Sequence, residues 1–344
     1  MSQAAFPLPP TRDLAALLTR EFESENLALE LAGSPALPQR LWQRALCGPL
    51  CEMASRPGKE LRAQLVEAGW RMAGGGGELP AELPAIVEAL HLGSLIVDDI
   101  EDDSARRRGG VALHRAIGVP LALNAGNWLY FLPGALLGRL ALPPMNELLL
   151  RRDIDRAVRL CHYGQALDLS VSVTELRQRD VASVVLATTR LKTGSLTELA
   201  IRLGASAAGA APEKVGILGR FGSDFGVALQ MLDDLGGLVS EKRSHKGHED
   251  LLQARPTWPW AWLAEQADAV AYLRLRALGD SVVARELHPE HLAEQLRGLL
   301  AESGLATVRA KLLAAREAVR SSLGDVPGSS LLDEAADCLE HLYG

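Results

Sequence analysis

Asp98, Asp99, Glu101, Asp102 and Asp103 crowd one short stretch, and Arg106, Arg107, Arg108 and Gly109 follow directly. If the stretch is helical, Asp98 and Asp102 lie one turn apart on one face, with Asp99 beside them. Carboxylates this close repel one another, and a hard, oxygen-seeking cation relieves that repulsion. Mg²⁺ does so with one or two carboxylates, filling the rest of its octahedron with water and phosphate oxygens. Planar guanidinium groups supply donors to the same phosphates. The residue types therefore suggest a metal-diphosphate site. A solvated helix end, acids before bases, accounts for the stretch equally well when it is taken alone.

A second acidic element changes the balance. Asp233 and Asp234 end the apolar run from Phe221 to Leu232, much as Asp98 and Asp99 end the run from Ala89 to Val97. Two such helices facing across a bundle would bring both sets of carboxylates to one mouth of a hydrophobic cavity. One shared site explains two acidic helix ends better than two unrelated solvated charge runs. Single residues carry less information. His91 alone reads as a histidine on a half-buried helix, and Lys192 alone as a solvent-facing lysine. Gln165 and Asp168 read equally well as polar contacts between helices. His245 and His248, beside Glu249 and Asp250, fit a polar loop better than a metal pair.

The elements that must hold these residues are helical. The 344 residues are 48% hydrophobic and only 4% aromatic. Ala, Leu, Arg and Glu dominate 145–170, 178–207 and 290–324, which predicts helices. The expected architecture is all-α: a single helical domain over 1–344, bundled around a central hydrophobic cavity. Gly74–Gly77, with Pro80 and Pro84 behind them, is a connector, since no Walker spacing surrounds the glycines. Further breaks fall at Pro143-Pro144, Pro212 and Pro327-Gly328. A formal charge of −7 argues against nucleic acid as a partner. Cys47, Cys51, Cys161 and Cys338 make no zinc spacing and fit free thiols in a reducing cytoplasm. No basic stretch followed by an apolar one opens the chain, so a secretory signal is not expected. Residues 119–138 carry no formal charge, but Pro120, Asn124, Asn127 and Pro133 favour a buried central helix over a membrane span.

In chain order, the motifs resemble the trans-isoprenyl diphosphate synthase family, and within it the geranylgeranyl diphosphate synthase branch of animals and fungi. They run Gly58-Lys59-Glu60-Leu61-Arg62, His91-x-x-Ser94-Leu95-x-x-Asp98-Asp99-Ile100-Glu101-Asp102, Arg107-Arg108-Gly109, His114 and Gly118. Gly164-Gln165-x-x-Asp168, Lys192-Thr193-Gly194, Gln230-x-x-Asp233-Asp234 and Lys246-x-x-Glu249-Asp250-Leu251 follow, so the resemblance spans about 58–259. Asn127 stands where most bacterial members have aspartate, a feature of that branch. Three positions depart from the family pattern. Gly237 replaces the third aspartate of the second motif, Arg255 the lysine often found before Thr257-x-Pro259, and Leu229 a common phenylalanine.

The resemblance implies the isoprenoid synthase fold and a Mg²⁺-dependent prenyltransferase that adds isopentenyl diphosphate to an allylic diphosphate, with about three Mg²⁺ ions per active site. Asp98, Asp102 and Asp233 are the expected metal ligands, and Asp99 and Lys192 are expected to take part in catalysis. Arg107, Lys192, Thr193, Gln230 and Lys246 would bind the allylic diphosphate. Lys59, Arg62, His91 and Arg108 would bind isopentenyl diphosphate. Gly93 and Ser94, a helical turn before Asp98, would floor the cavity, with Trp128, Tyr130 and Phe131 as stops for a growing chain. A twenty-carbon product, geranylgeranyl diphosphate, follows from that small floor. The family also implies a homodimer, with 119–138 at its interface.

Two other readings fit parts of the chain. Asp233 to Glu241 resembles the second metal motif of class I terpene cyclases, with Gly237 in place of serine or threonine and Glu241 as third ligand. A cyclase uses one diphosphate, so the basic set at Lys59, Arg62, His91 and Arg108 favours chain elongation. The missing third aspartate also fits a weakly active subunit that regulates a partner synthase.

Overall fold

The computed structural model describes residues 14–343 except 32, 36, 241, 242 and 325. The chain forms two compact units, one of Met1–Glu67 and Gly76–Ile154, the other of Ala68–Gly75 and Asp155–Gly344. Helices supply nearly all of the regular structure. In order along the first unit these are α1 (Leu14–Glu21), α2 (Ser24–Glu30), α3 (Gln39–Trp42), α4 (Gly48–Ser55), α5 (Leu61–Met72), α6 (Glu82–Glu101), α7 (Leu113–Ile117), α8 (Val119–Gly138) and α9 (Pro144–Ser170). The last turn of α5 and the greater part of α9 belong to the second unit. There the chain continues through α10 (Gln178–Thr189), α11 (Ser195–Ala207), α12 (Pro212–Val239), α13 (Ser244–Leu252), α14 (Trp258–Gln266), α15 (Ala269–Val283), α16 (Pro289–Leu323) and α17 (Ser330–Tyr343). One small hairpin, β1 (Arg106–Arg107) with β2 (Gly110–Val111), interrupts the helices.

In the first unit α6 lies along α8 because two glycines remove the side chains where they cross. A Cβ on Gly93 would sit 2.9 Å from the Gly126 carbonyl oxygen, and one on Gly126 would sit 3.0 Å from a Val97 methyl. Leu83, Ile86, Leu90 and Ile96 of α6 are buried. Each such side chain stabilises the fold by about 1.5–3 kcal/mol. Pro84 falls within the first turn of α6, where its missing N–H leaves no hydrogen bond unmade. Arg139, capping α8, forms a two-pronged ion pair with Glu21 of α1. Residues 119–138 form a helix, expected to be buried and not to span a membrane, that is buried on one side only. One face of α8 carries Ala122, Ala125, Leu129 and Leu136 into the core, while Val119, Leu121, Leu123 and Phe131 are 40–78% exposed.

In the second unit α12 is the axis, packed between α11 and α16. Gly222 and Gly226 let α11 approach closely, since a Cβ on Gly222 would lie 2.6 Å from the Thr197 carbonyl oxygen. Leu292, Leu296, Leu300, Val308 and Leu312 of α16 recur at helical spacing and are buried. Trp260 and Trp262 of α14 fill the space beside them, and Gly304 makes room for the Trp262 ring. The helix expected over 178–207 is not continuous. A π-helical turn, Arg190–Gly194, separates α10 from α11, and it carries Lys192, Thr193 and Gly194. Single π turns often mark functional sites, because the extra residue re-aims side chains.

Candidate active site

Within the first unit, the last turn of α6 aims its acids in different directions. Asp98 is partly accessible, and the Asp102 backbone N–H, which caps the helix, donates to the Asp98 carbonyl at 2.9 Å. Asp99 turns inward and is fully buried. Its carboxylate accepts from Nε of Arg107 at 2.7 Å, while Arg107 also reaches Asp98 at 3.4 Å. Burial pushes the Asp99 carboxyl up, and the Arg107 guanidinium pulls it back. Asp99 therefore holds Arg107 in place from the buried face of α6.

The hairpin sets the next two residues. Arg108 and Gly109 occupy its two-residue turn with φ of 48° and 77°. Positive φ at both positions is the type I′ geometry, and a non-glycine residue held there is strained. The strain accompanies a contact. The Arg108 guanidinium lies over Gly58, 3.4 Å from where a Cβ would stand. Arg56 fixes the hairpin from the other side by donating to the Arg107 carbonyl at 2.9 Å.

Arg108 joins Arg62 in a basic cluster around Glu88 and His91. Burial, then repulsion from Arg62, Arg108 and Arg107, holds the His91 imidazole well below its ordinary value. The ring is thus neutral and can donate and accept hydrogen bonds. Burial pushes the Glu88 carboxyl up, and Arg62 and Arg108 pull it back down. Glu88, His91, Ser94, Asp98 and Asp102 recur three or four residues apart, and all are only partly buried, so they form one stripe along α6. Lys59, in the loop before α5, is also partly buried. Glu88 was missed in the sequence, although its spacing to His91 carried the signal.

The product-length residues are redistributed. Gly93 does not floor a cavity, since a side chain there would strike the α8 backbone, with the Tyr130 ring 3.4 Å away. Ser94 stays on the accessible stripe, and its hydroxyl donates to the His91 carbonyl at 2.8 Å. Trp128 stacks on Phe22, with ring centroids 5.2 Å apart. Phe131 is 78% exposed, on the outer face of α8, and lines no cavity within this chain.

The second unit holds the other half of the candidate residues. Gly164 of α9 abuts the π turn, 2.5 Å from the Lys192 backbone nitrogen to a Cβ built there. The Thr193 hydroxyl donates to Gln230 at 2.9 Å, and the Gln230 amide donates to Asp234 at 2.8 Å. Asp234 also accepts from the Trp258 backbone N–H, at the start of α14, at 2.9 Å. Burial, with Asp250 adding repulsion, pushes the Asp234 carboxyl up to about 7. Asp234 therefore ties α12 to α14, while Asp233, 35% exposed, pairs with Arg243 at 3.1 Å. Lys246 lies on α13, which crosses α12 closely. A Cβ on Gly237 would lie 3.1 Å from Cα of Gly247, so the place of the third aspartate is taken by the α13 backbone. Glu241, the third ligand a cyclase would need, lies outside the described residues. His248 turns to Glu290 of α16 at 2.8 Å, so it serves as a link between helices.

Among the described residues no three His, Cys, Asp or Glu side chains gather where they could hold one ion. The partly accessible Asp98 and Asp102 fit Mg²⁺, which takes one or two carboxylates and completes its shell with phosphate oxygens and water.

The chain is similar in fold to decaprenyl diphosphate synthase from Rhodobacter capsulatus, with a TM-score of 0.71 at 23% identity over 97% of this chain and 100% of that one. That likeness fixes the class, an all-α isoprenoid synthase fold. The polyprenyl synthetase family model matches residues 43–284, and the chain belongs to that family. It is 31% identical to a geranylgeranyl pyrophosphate synthase of Eremothecium gossypii over 67% of this chain and 72% of that protein. It is 32% identical to geranylgeranyl pyrophosphate synthase 2 of Zymoseptoria tritici over 63% of this chain and 64% of that protein.

Proposed function

We propose that this protein is a Mg²⁺-dependent prenyltransferase that joins isopentenyl diphosphate to an allylic diphosphate and releases geranylgeranyl diphosphate. The observation that carries the reading lies within the first unit: an acidic helix end with Arg107, and a separate basic cluster of Arg62, Arg108 and neutral His91. Two differently charged places suit two diphosphates, one bound through metal and one bound directly. The family model spans both units, which supports treating them as one functional domain.

Asp98, Asp102 and Asp233 would hold Mg²⁺, which when bound neutralises charge on the leaving diphosphate. Arg107, kept in place by Asp99, and Lys192, Thr193, Gln230 and Lys246 bind the allylic diphosphate as its carbon–oxygen bond breaks. Lys59, Arg62, His91 and Arg108 bind isopentenyl diphosphate, whose double bond attacks the allylic cation. The released diphosphate takes the final proton, so no side chain serves as base. A twenty-carbon product is supported by the names of the relatives, and Ser94 remains the small residue on the accessible face of α6. Cyclisation is disfavoured, because a serine or threonine at 237 would press on Gly247.

The test is incubation of purified protein with Mg²⁺, isopentenyl diphosphate and each allylic diphosphate of five, ten or fifteen carbons, with products identified by mass. A twenty-carbon diphosphate is expected, and Asp98→Asn should lower turnover on the order of 10²-fold or more. A hydrocarbon formed without isopentenyl diphosphate would overturn elongation.

A further inference from the structure

Asp168, in the last turn of α9, is shared by two cations. One of its oxygens, Oδ2, accepts from Nζ of Lys192 at 2.7 Å and from a terminal nitrogen of Arg255 at 2.5 Å. The two positive groups therefore stand within about 5 Å of each other. All three side chains are largely shielded, at 32% exposed for Lys192, 16% for Asp168 and 11% for Arg255. Asp168 thus draws two positive groups together where screening by water is weak, which suits an anion placed against Lys192.

The backbone shows how Arg255 is aimed. Ala254 sits at φ 50°, a left-handed conformation unusual for alanine. It is buried and pinned, because its carbonyl accepts from the Val173 N–H at 2.8 Å. The Arg255 N–H donates to the Asp250 carbonyl at 2.9 Å, and Pro256 behind it biases Arg255 towards extended backbone. From that fixed base the guanidinium points two ways at once. Nε donates to the Gln253 side chain at 2.5 Å while the terminal nitrogen reaches Asp168. A rigid planar fork can hold both directions, whereas an ammonium on a flexible stem behaves as a point charge. Lys192 has its backbone fixed against Gly164, and Asp168 holds its head.

We propose that Arg255 is a positioning residue for allylic diphosphate binding: its fork fixes Asp168, Asp168 fixes the Lys192 ammonium, and arginine geometry rather than positive charge is what the site requires. The proposal rests on the prenyltransferase reading and names the residue through which this chain prepares one diphosphate contact. It gives the arginine that departs from the family pattern a specific job.

The experiment uses the whole chain and inorganic pyrophosphate with Mg²⁺ as the probe, measured by calorimetry, together with steady-state kinetics. Arg255→Lys keeps the charge and loses the fork. It should weaken pyrophosphate binding and raise KM for the allylic diphosphate about tenfold, with KM for isopentenyl diphosphate and the melting temperature unchanged. Asp168→Asn should do the same. In a Lys192→Met background, Arg255→Lys should add nothing, because its effect passes through Lys192. Wild-type affinity in Arg255→Lys would overturn the proposal. So would additive losses in the double variant, which would place Arg255 directly on the ligand, or a lower melting temperature with affinity kept. If the wild-type chain binds no pyrophosphate, the prenyltransferase reading itself fails.

Discussion

Six neighbouring positions, Asp98 to Asp103, do at least three different jobs. Asp98 and Asp102 are partly accessible, Asp99 is buried against Arg107, and Asp103 pairs with Arg115 at 2.6 Å. Helical spacing made the Asp98 and Asp102 pair legible in the sequence. It could not show that Asp99 faces inward, because that depends on what packs behind α6. Burial also hid the state of His91. Its native imidazole resists protonation, while the unfolded chain takes up a proton below about pH 6.5. Its contribution to stability is therefore full above that pH and is lost as the pH falls towards the lowered native value. Melting temperatures of the wild type should fall more steeply between about pH 6.5 and 5 than those of His91→Gln. Parallel curves would show that the ring is protonated in the fold.

At the scale of elements, glycines decide which helices can meet. Two long helices were legible in the sequence at nearly their observed limits, Pro144–Ser170 and Pro289–Leu323. It concealed the π turn at Arg190–Gly194, since a one-residue change of pitch leaves the apolar pattern almost intact. It also suggested that Gly93 widens a cavity, when its smallness lets α6 and α8 touch. Glycine at 237 read as a lost ligand, yet the same residue lets α13, with Lys246, lie against α12. Gly237→Asp should therefore lower stability by about 1–3 kcal/mol through overpacking and leave Mg²⁺-dependent turnover no higher than wild type. Denaturant melts beside activity assays decide it. A stable variant of raised activity would show that α13 can yield.

For the molecule as a whole, each unit carries candidate residues of its own, and among the described residues no helix is long and apolar enough to cross a membrane. Among the described residues, Cys47, Cys51 and Cys161 are free thiols. The outer face of α8 offers Leu121, Leu123 and Phe131, apolar groups that one chain leaves uncovered. A homodimer closed over this face is our proposal, and residues read as cavity stops would then serve assembly. Leu123→Glu with Phe131→Glu should convert the protein from dimer to monomer in light scattering at micromolar concentration. A dimer that survives both changes would place the interface elsewhere.

The crossing of α12 and α13 also bears on how this sequence can change through time. Each glycine is the other's steric limit, so a side chain at 237 or 247 alone meets backbone. An aspartate at 237 then demands movement of a whole helix before its carboxylate brings any benefit. Descendants of this chain are expected to keep the pair together or lose it together, and their second motif to drift at other positions first.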